Sequence, residues 1–263
     1  MTDKLSRTNI KLPSDFLQQL GSFLQSAPSQ VFCIPTMRDW ITRMRLAEVD
    51  FDRMAVADTV DAAAIDDVVA YNKEMLRNIE DHQGTLRRPE LLVNVLTSIF
   101  HVRERIAAMK VLCIGPRTES EMFMLMAAGF DVHNITGLDL MSYSDIVDVG
   151  DMHAMPYADD TFDIVMVGWT LTYSKDMRRV ADECKRVGKP GAYVAIGIEL
   201  EPRPGGGEAV HGYTLDDAPR LEDTDEIVAL FGDAVHAVPF RHDVHRSRAG
   251  VAVDMVMAVI ELK

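Results

Sequence analysis

An α/β fold built on an open, mostly parallel sheet is what this sequence predicts, and three observations carry it. Four short apolar runs, over 110–114, 132–140, 146–149 and 162–167, each stop at or beside a glycine or an aspartate. A helical pattern over 119–128 stands between the first two, and another follows the fourth. Strands alternating with helices imply parallel β/α units, whose ligands bind beyond the carboxyl ends of the strands. The third observation is size: 263 residues, 48% of them hydrophobic, suffice for one large domain or a domain with a cap.

The segment 1–108 is expected to be a helical cap, and 109–263 the sheet domain. Ser14 is placed to cap a helix over 15–25, and Pro28 prevents its continuation. Thr36-Met37-Arg38-Asp39 approximates a capping box, with Trp40, Ile41 and Met44 following at helical spacing. A third helix is predicted over 62–81, with a stripe of Ile65, Val68, Val69, Met75, Leu76 and Ile79. A fourth starts at Pro89 and carries Leu92, Val95, Leu96, Ile99, Val102 and Ile106. Asn72 and Arg103 interrupt these stripes. Each either points into a pocket beneath the cap, Arg103 holding a carboxylate, or marks a stripe edge.

Charge narrows the function classes. The net charge is −14, whereas nucleic-acid binders need a positive face to release phosphate counterions. Arg241, His242, His245, Arg246 and Arg248 lie close together, as a local basic patch or a solvated hairpin. Cys33, Cys113 and Cys184 have no metal-ligand spacing, so no metal is expected. The N-terminus lacks an apolar signal core, and no apolar run approaches the roughly 18 residues of a membrane span. A cytoplasmic protein without membrane or nucleic-acid partners is the expectation.

The residues that carry chemistry lie in the sheet domain. Gly150-Asp151-Met152-His153-Ala154-Met155-Pro156-Tyr157-Ala158-Asp159-Asp160-Thr161-Phe162-Asp163 resembles the stretch G-D-A-x-x-L-P-F-x-D-x-S-F-D of the class I S-adenosylmethionine-dependent methyltransferases of the small-molecule type. Lys189-Pro190-Gly191 is similar to the family's L-K-P-G-G. The resemblance runs from about Lys110 to the C-terminus. It implies a Rossmann-like, seven-stranded, mostly parallel sheet with a C-terminal antiparallel hairpin. It also implies S-adenosyl-L-methionine as cofactor, and a helical N-terminal segment that often dimerises.

The glycine loop departs from the family's D/E-x-G-x-G-x-G. The chain has Cys113-Ile114-Gly115-Pro116-Arg117-Thr118-Glu119, with Cys113 for the acid and Arg117 and Glu119 for glycines. Seven residues separate Asp139 from Val147, so the helix usual between the second and third strands is missing or reduced to a turn. A reshaped cofactor pocket follows.

The resemblance assigns Gly115, Pro116 and Arg117 to the cofactor's methionine end, and Asp139 with Leu140 to its ribose. Asp151 and Met152 border the adenine. Gly115 would allow close backbone approach. Thr118-Glu119-Ser120-Glu121 forms a capping box, and the amides of that helix start would face the carboxylate. Arg117 either bonds that carboxylate or pairs with Glu119 or Glu121 at the surface. His153 is a general base, a pocket wall or a turn residue. After the fourth strand, Trp169 would stack on adenine or sulfonium, and Thr170 and Tyr173 would meet the acceptor, Tyr173 also as a candidate catalytic group. The bland alternative is an aromatic lid on the core.

Ser174 is expected to cap a helix, and Pro190-Gly191 to turn into a strand over 193–198. Glu199, at that strand's end, is a substrate-binding candidate, followed by Glu201 and a glycine-rich loop, 202–207, then His211 and Tyr213. Asp223 or Thr224 caps a helix ending at Gly232, and strands over 237–243 and 251–261 close the chain.

The expected activity is methyl transfer to a small-molecule acceptor. Two rivals stand beside it. The altered loop suits chemistry at the aminobutyrate arm of the cofactor, releasing methylthioadenosine. It also suits a non-catalytic module that kept the fold and lost the cofactor.

Overall fold

The computed structural model describes residues 14–57, 62–79, 88–200, 221–243 and 254–263. At its centre is β2 (Val111–Ile114), buried at every position. Its side chains alternate: Leu112 and Ile114 enter one core, Val111 and Cys113 the other. Strands β3 (Ile135–Asp139) and β5 (Val147–Val149) lie parallel on one side of it. On the other side follow β6 (Phe162–Gly168) and β7 (Gly188–Leu200), also parallel. The antiparallel β8 (Val235–His242) and β9 (Asp254–Leu262) complete the seven strands in the order β5-β3-β2-β6-β7-β9-β8. The chain winds outward from β2 to β5 and then returns to β6, so the switch point lies between the ends of β2 and β6.

Helices cover both faces. α7 (Met177–Val187) and α8 (Thr224–Ala229) bury Val180, Ala181, Cys184, Val187 and Ile227 in the first core. On the opposite face α4 (Pro89–Ser98), α5 (Phe100–Arg105) and α6 (Ser120–Ala128) bury Leu92, Leu96, Val102, Met122 and Leu125. The single fourth helix expected from the pattern is therefore two helices and a 3-10 turn, Ile106–Ala108. Thr97 and Ser98 donate to the carbonyls of Val93 and Asn94, and Ile99 turns extended.

The cap comprises α1 (Phe16–Ser26), α2 (Pro35–Ala47) and α3 (Ala62–Arg77). Its two-residue strand β1 (Ala55–Val56) pairs antiparallel with β4 (Met141–Ser142), in the β3–β5 connection where the helix was expected to be missing. Leu46, Val69, Leu76, Ile79 and Met141 form a third, smaller core there. The side chain of Ile65 lies outside the described residues, as do 202–207, Glu201, His211, Tyr213, His245, Arg246 and Arg248.

Most of the expected caps are made differently. Pro35 opens α2 behind Ile34, with no side-chain cap, and Arg38 bonds Phe32 O and pairs with Glu90. α1 follows Asp15, also without a side-chain cap bond. Asp176, not Ser174, caps α7 by accepting from Arg179 N. α6 lacks its capping box: Thr118 Oγ1 accepts from Ser120 N at 3.2 Å, and Glu121 turns to Cys113 instead. Asp223 caps α8 as expected, but α8 stops at Ala229 and a 3-10 turn spans Gly232–Ala234.

Candidate active site

The loop after β2 is held by contacts the sequence did not announce. Gly115 has φ +70, and a Cβ there would lie 1.9 Å from Thr170 Cγ2. The space that the glycine opens is thus taken by Thr170, whose hydroxyl donates to Ile114 O at 3.1 Å. Pro116 packs on Gly137 of β3, where a Cβ would meet its ring at 3.1 Å. Arg117 N donates to Gly115 O, tightening the turn.

Beyond the turn the two acids diverge. Glu119 is 3% exposed and accepts both Nε and Nη2 of Arg45, from α2 of the cap, the latter at 2.7 Å. Ser144 Oγ also donates to Glu119 Oε1 at 2.6 Å, and Glu119 N donates to Tyr143 Oη. Glu121 faces inward and accepts from Cys113 Sγ at 3.3 Å. Burial pushes its carboxyl up to about 8, with Asp139 adding to the rise and Cys113 and Arg117 opposing it. Arg117 therefore pairs with neither acid; among the described residues its contact is with the ring of Tyr71, 5.9 Å from the centroid.

The strand ends carry two further acids. Asp139 Oδ1 accepts from Met141 N at 3.3 Å, and desolvation pushes the carboxyl up to about 6. Asp151 Oδ1 accepts from His153 N at 2.8 Å and from His153 Nδ1 at 2.6 Å. The second ring nitrogen of His153 is 2.7 Å from Ser174 Oγ, which itself accepts from Asp176 N. The consistent assignment has Nδ1–H donating to Asp151 and the serine hydroxyl donating to Nε2. The bond from His153 holds the Asp151 carboxyl below its ordinary value. With both nitrogens engaged, His153 ties the loop after β5 to the segment before α7, rather than standing as a free base.

A cleft of ≈ 100 Å³ lies over the switch point. It is lined by Gly115, Arg117, Glu121, Gly168, Trp169, Thr170, Tyr173 and Glu199 from the strand ends and the segments that follow them, and by Ile79, Arg88 and Pro89 from the N-terminal segment. Arg88 and Glu199 are ion-paired at 2.5 Å. Trp169 has φ +59, an uncommon conformation for a large residue, and its indole lies on Gly197, where a Cβ would sit 3.2–3.3 Å from the ring. Its buried Nε1–H has no hydrogen-bond partner among the described residues. A buried donor left open in a cleft is a group that a ligand can satisfy.

Residues 112–196, from the central strand through the cleft-lining strand ends to β7, match the family model described as Methyltransferase domain. Residues 112–196 form a methyltransferase domain. S-adenosylmethionine is the cofactor such a domain implies. Similar solved structures include a SAM-dependent methyltransferase from Aquifex aeolicus (19% identity, 61% of this chain, 88% of that one, TM-score 0.39). Others are a possible histamine N-methyltransferase from Thermotoga maritima (14%, 74%, 99%, TM-score 0.47) and the cyclase SpnF (14%, 66%, 81%, TM-score 0.48). No curated protein matches the chain.

The donor set of this methyltransferase fits the cofactor. Asp139 and Asp151 offer carboxylates at neighbouring strand ends, and no described group bonds Asp151 Oδ2. Arg117 offers a cation without an ion pair among the described residues. The remaining expected residues do not line the cleft. Leu140 packs with the third core and Met152 against the first. Arg103 is exposed on α5. Asn72 is half-buried, with an Oδ1 that finds no partner among the described residues.

Four residues at or near the cleft were given another role or none by the sequence: Glu121, Glu119 as the partner of Arg45, Arg88 and Ser174. Glu121 had a signal, an acid one residue into a helix directly after the strand-end turn. Arg88 had only its place before Pro89, and Ser174 had none.

No helix among the described residues is long and apolar enough to cross a membrane, and no cluster there has the makings of a metal site.

Proposed function

We propose that this methyltransferase modifies a small-molecule acceptor held in the cleft between cap and sheet. The observation that carries the reading is the make-up of that cleft: cap residues Ile79, Arg88 and Pro89 face strand-end residues Trp169, Tyr173 and Glu199 across a space sized for a small group. The net charge of −14 argues against a nucleic-acid acceptor.

In this reading Asp139 accepts from the ribose hydroxyls, Asp151 and Met152 border the adenine, and Arg117 holds the carboxylate. Bound S-adenosylmethionine supplies a methyl group activated by a sulfonium. The protein's part is alignment, so a catalytic base is optional. Trp169 and Tyr173 orient the acceptor, the indole N–H donating to an oxygen or nitrogen lone pair of the acceptor. The Arg88–Glu199 pair keeps water from the cap side. His153, bound at both nitrogens, holds Asp151 in place.

Calorimetric titration with S-adenosylmethionine, on wild type and Asp139→Ala, tests the site. Micromolar binding that the variant loses is expected, and incubation with candidate acceptors should release S-adenosylhomocysteine. Methylthioadenosine as the sole product would move the chemistry to the aminobutyrate arm. No binding by wild type would leave a non-catalytic module.

A further inference from the structure

The cleft reverses the sign of the chain around it. Two guanidinium groups, Arg88 and Arg117, and two carboxyls, Glu121 and Glu199, line it. Glu121 is buried and its carboxyl is pushed up to about 8, so it is largely neutral at pH 7. The lining therefore carries a net positive charge, in a protein whose own net charge is −14. A bound sulfonium adds to it.

Two donor groups in the cleft are open. Trp169 Nε1–H is buried and has no hydrogen-bond partner among the described residues. Arg88 donates once, from Nη1 to Glu199 Oε2 at 2.5 Å, and the rest of its planar fork makes no bond among the described residues. Strand β7 brings these donors together. Gly197 and Glu199 stand two apart on it and share a face. The indole lies on Gly197: its Cε2, the carbon bonded to Nε1, is 3.3 Å from where a Cβ would stand. Glu199 is next along that face and holds Arg88. The left-handed backbone of Trp169, φ +59, and its N–H bond to Gly197 O at 2.8 Å fix the indole in this place.

We propose that the methyl acceptor is a small carboxylic acid bound as its anion, its carboxylate accepting from Arg88 and from the Trp169 indole N–H while Glu199 orients Arg88. This acceptor class rests on the reading that the cleft holds the acceptor. The open edge of a guanidinium offers a carboxylate two parallel N–H bonds. An ammonium would meet Glu199 against the positive charge of Arg88, Arg117 and the sulfonium. A neutral acceptor would leave that charge unmatched.

Three probes of one skeleton carry the three charges: propionate, propionamide and propylamine. Each is titrated into protein saturated with S-adenosylhomocysteine, which occupies Arg117 in the cofactor reading. The chain has two tryptophans, Trp40 and Trp169, so an isotope-labelled sample gives two indole N–H resonances, and Trp40→Phe assigns them. Propionate should move the Trp169 resonance downfield and bind at least about tenfold more tightly than propionamide, with propylamine weakest. Arg88→Gln should lose that preference and Arg88→Lys should keep part of it. Binding of S-adenosylhomocysteine, read in the same samples, reports that each variant is folded. Three results would overturn the carboxylate acceptor and leave the cofactor reading intact: propionamide or propylamine binding as tightly as propionate, no movement of the Trp169 resonance with propionate, or a preference that survives in Arg88→Gln. If wild type does not bind S-adenosylhomocysteine, the cofactor reading falls and the acceptor class with it.

Discussion

Arg45, on the second helix of the cap, holds both carboxylate oxygens of Glu119, on the loop that follows the central strand. The loop position that the family fills with glycine has thereby become the point where the cap is fastened to the sheet. Glu119 is buried at 3%, whereas half of the Arg45 side chain reaches solvent. The carboxylate is thus the member that suffers when the pair is broken. Arg45→Ala is expected to cost about 1–3 kcal/mol, because it leaves a buried charge with Ser144 as its remaining side-chain donor. Glu119→Gln should cost less, and the double variant less than the sum. A double-mutant cycle in urea measures this coupling, and protease cleavage within the cap should rise in step.

Gly115 makes room for Thr170 across the switch point. Gly115→Ala brings a Cβ within 1.9 Å of Thr170 Cγ2 in a backbone conformation that disfavours side chains. A loss of at least about 2 kcal/mol is expected, seen as a lower urea midpoint. Adding Thr170→Gly should restore part of it, because the steric share disappears and the φ share remains. Failure of the second change to rescue would place the whole cost in the backbone.

His153 is bonded at both ring nitrogens, which assigns it to holding rather than to proton transfer. His153→Gln is expected to weaken cofactor binding several-fold while leaving the pH profile of kcat without a lost limb. Ser174→Ala should act in the same direction and more weakly, by about 1 kcal/mol or less. A pH–rate profile that loses its acid limb in His153→Gln would instead make the imidazole a base.

Two carboxyls are raised by folding, and the sign follows from that. Asp139 rises from 3.8 to about 6 and Glu121 from 4.5 to about 8, so the folded protein holds these protons more tightly than the unfolded chain does. Their neutral forms favour folding at low pH, and that contribution is lost as pH climbs through those windows. The lowered acids, among them Asp151, act oppositely and lose their contribution as pH falls through their folded values. Between about pH 6 and 8 Glu121 dominates, so the thermal midpoint of wild type should fall. Glu121→Gln should flatten that fall, and Asp139→Asn should flatten the part near pH 5. Cofactor affinity should weaken below about pH 6, where Asp139 takes up a proton and loses an acceptor.

The sequence by itself determined the sheet domain, its parallel winding and the placing of acids at strand ends. Those signals are local: an apolar run, a glycine stop and a helical period each sit within a dozen residues. It also determined that no ordinary helix fits between β3 and β5, because seven residues cannot form one and cross back. Only the tertiary structure decided what occupies that place, a cap strand paired with Met141 and Ser142. It alone sent Glu119 to Arg45, 74 residues away, and Glu121 to Cys113 across a helix start, although both acids stand in one capping-box pattern. A capping box weighs one local bond against solvent. A buried carboxyl answers instead to whichever cation or donor the packed chain brings within reach, and that pairing exists only once the cap has docked.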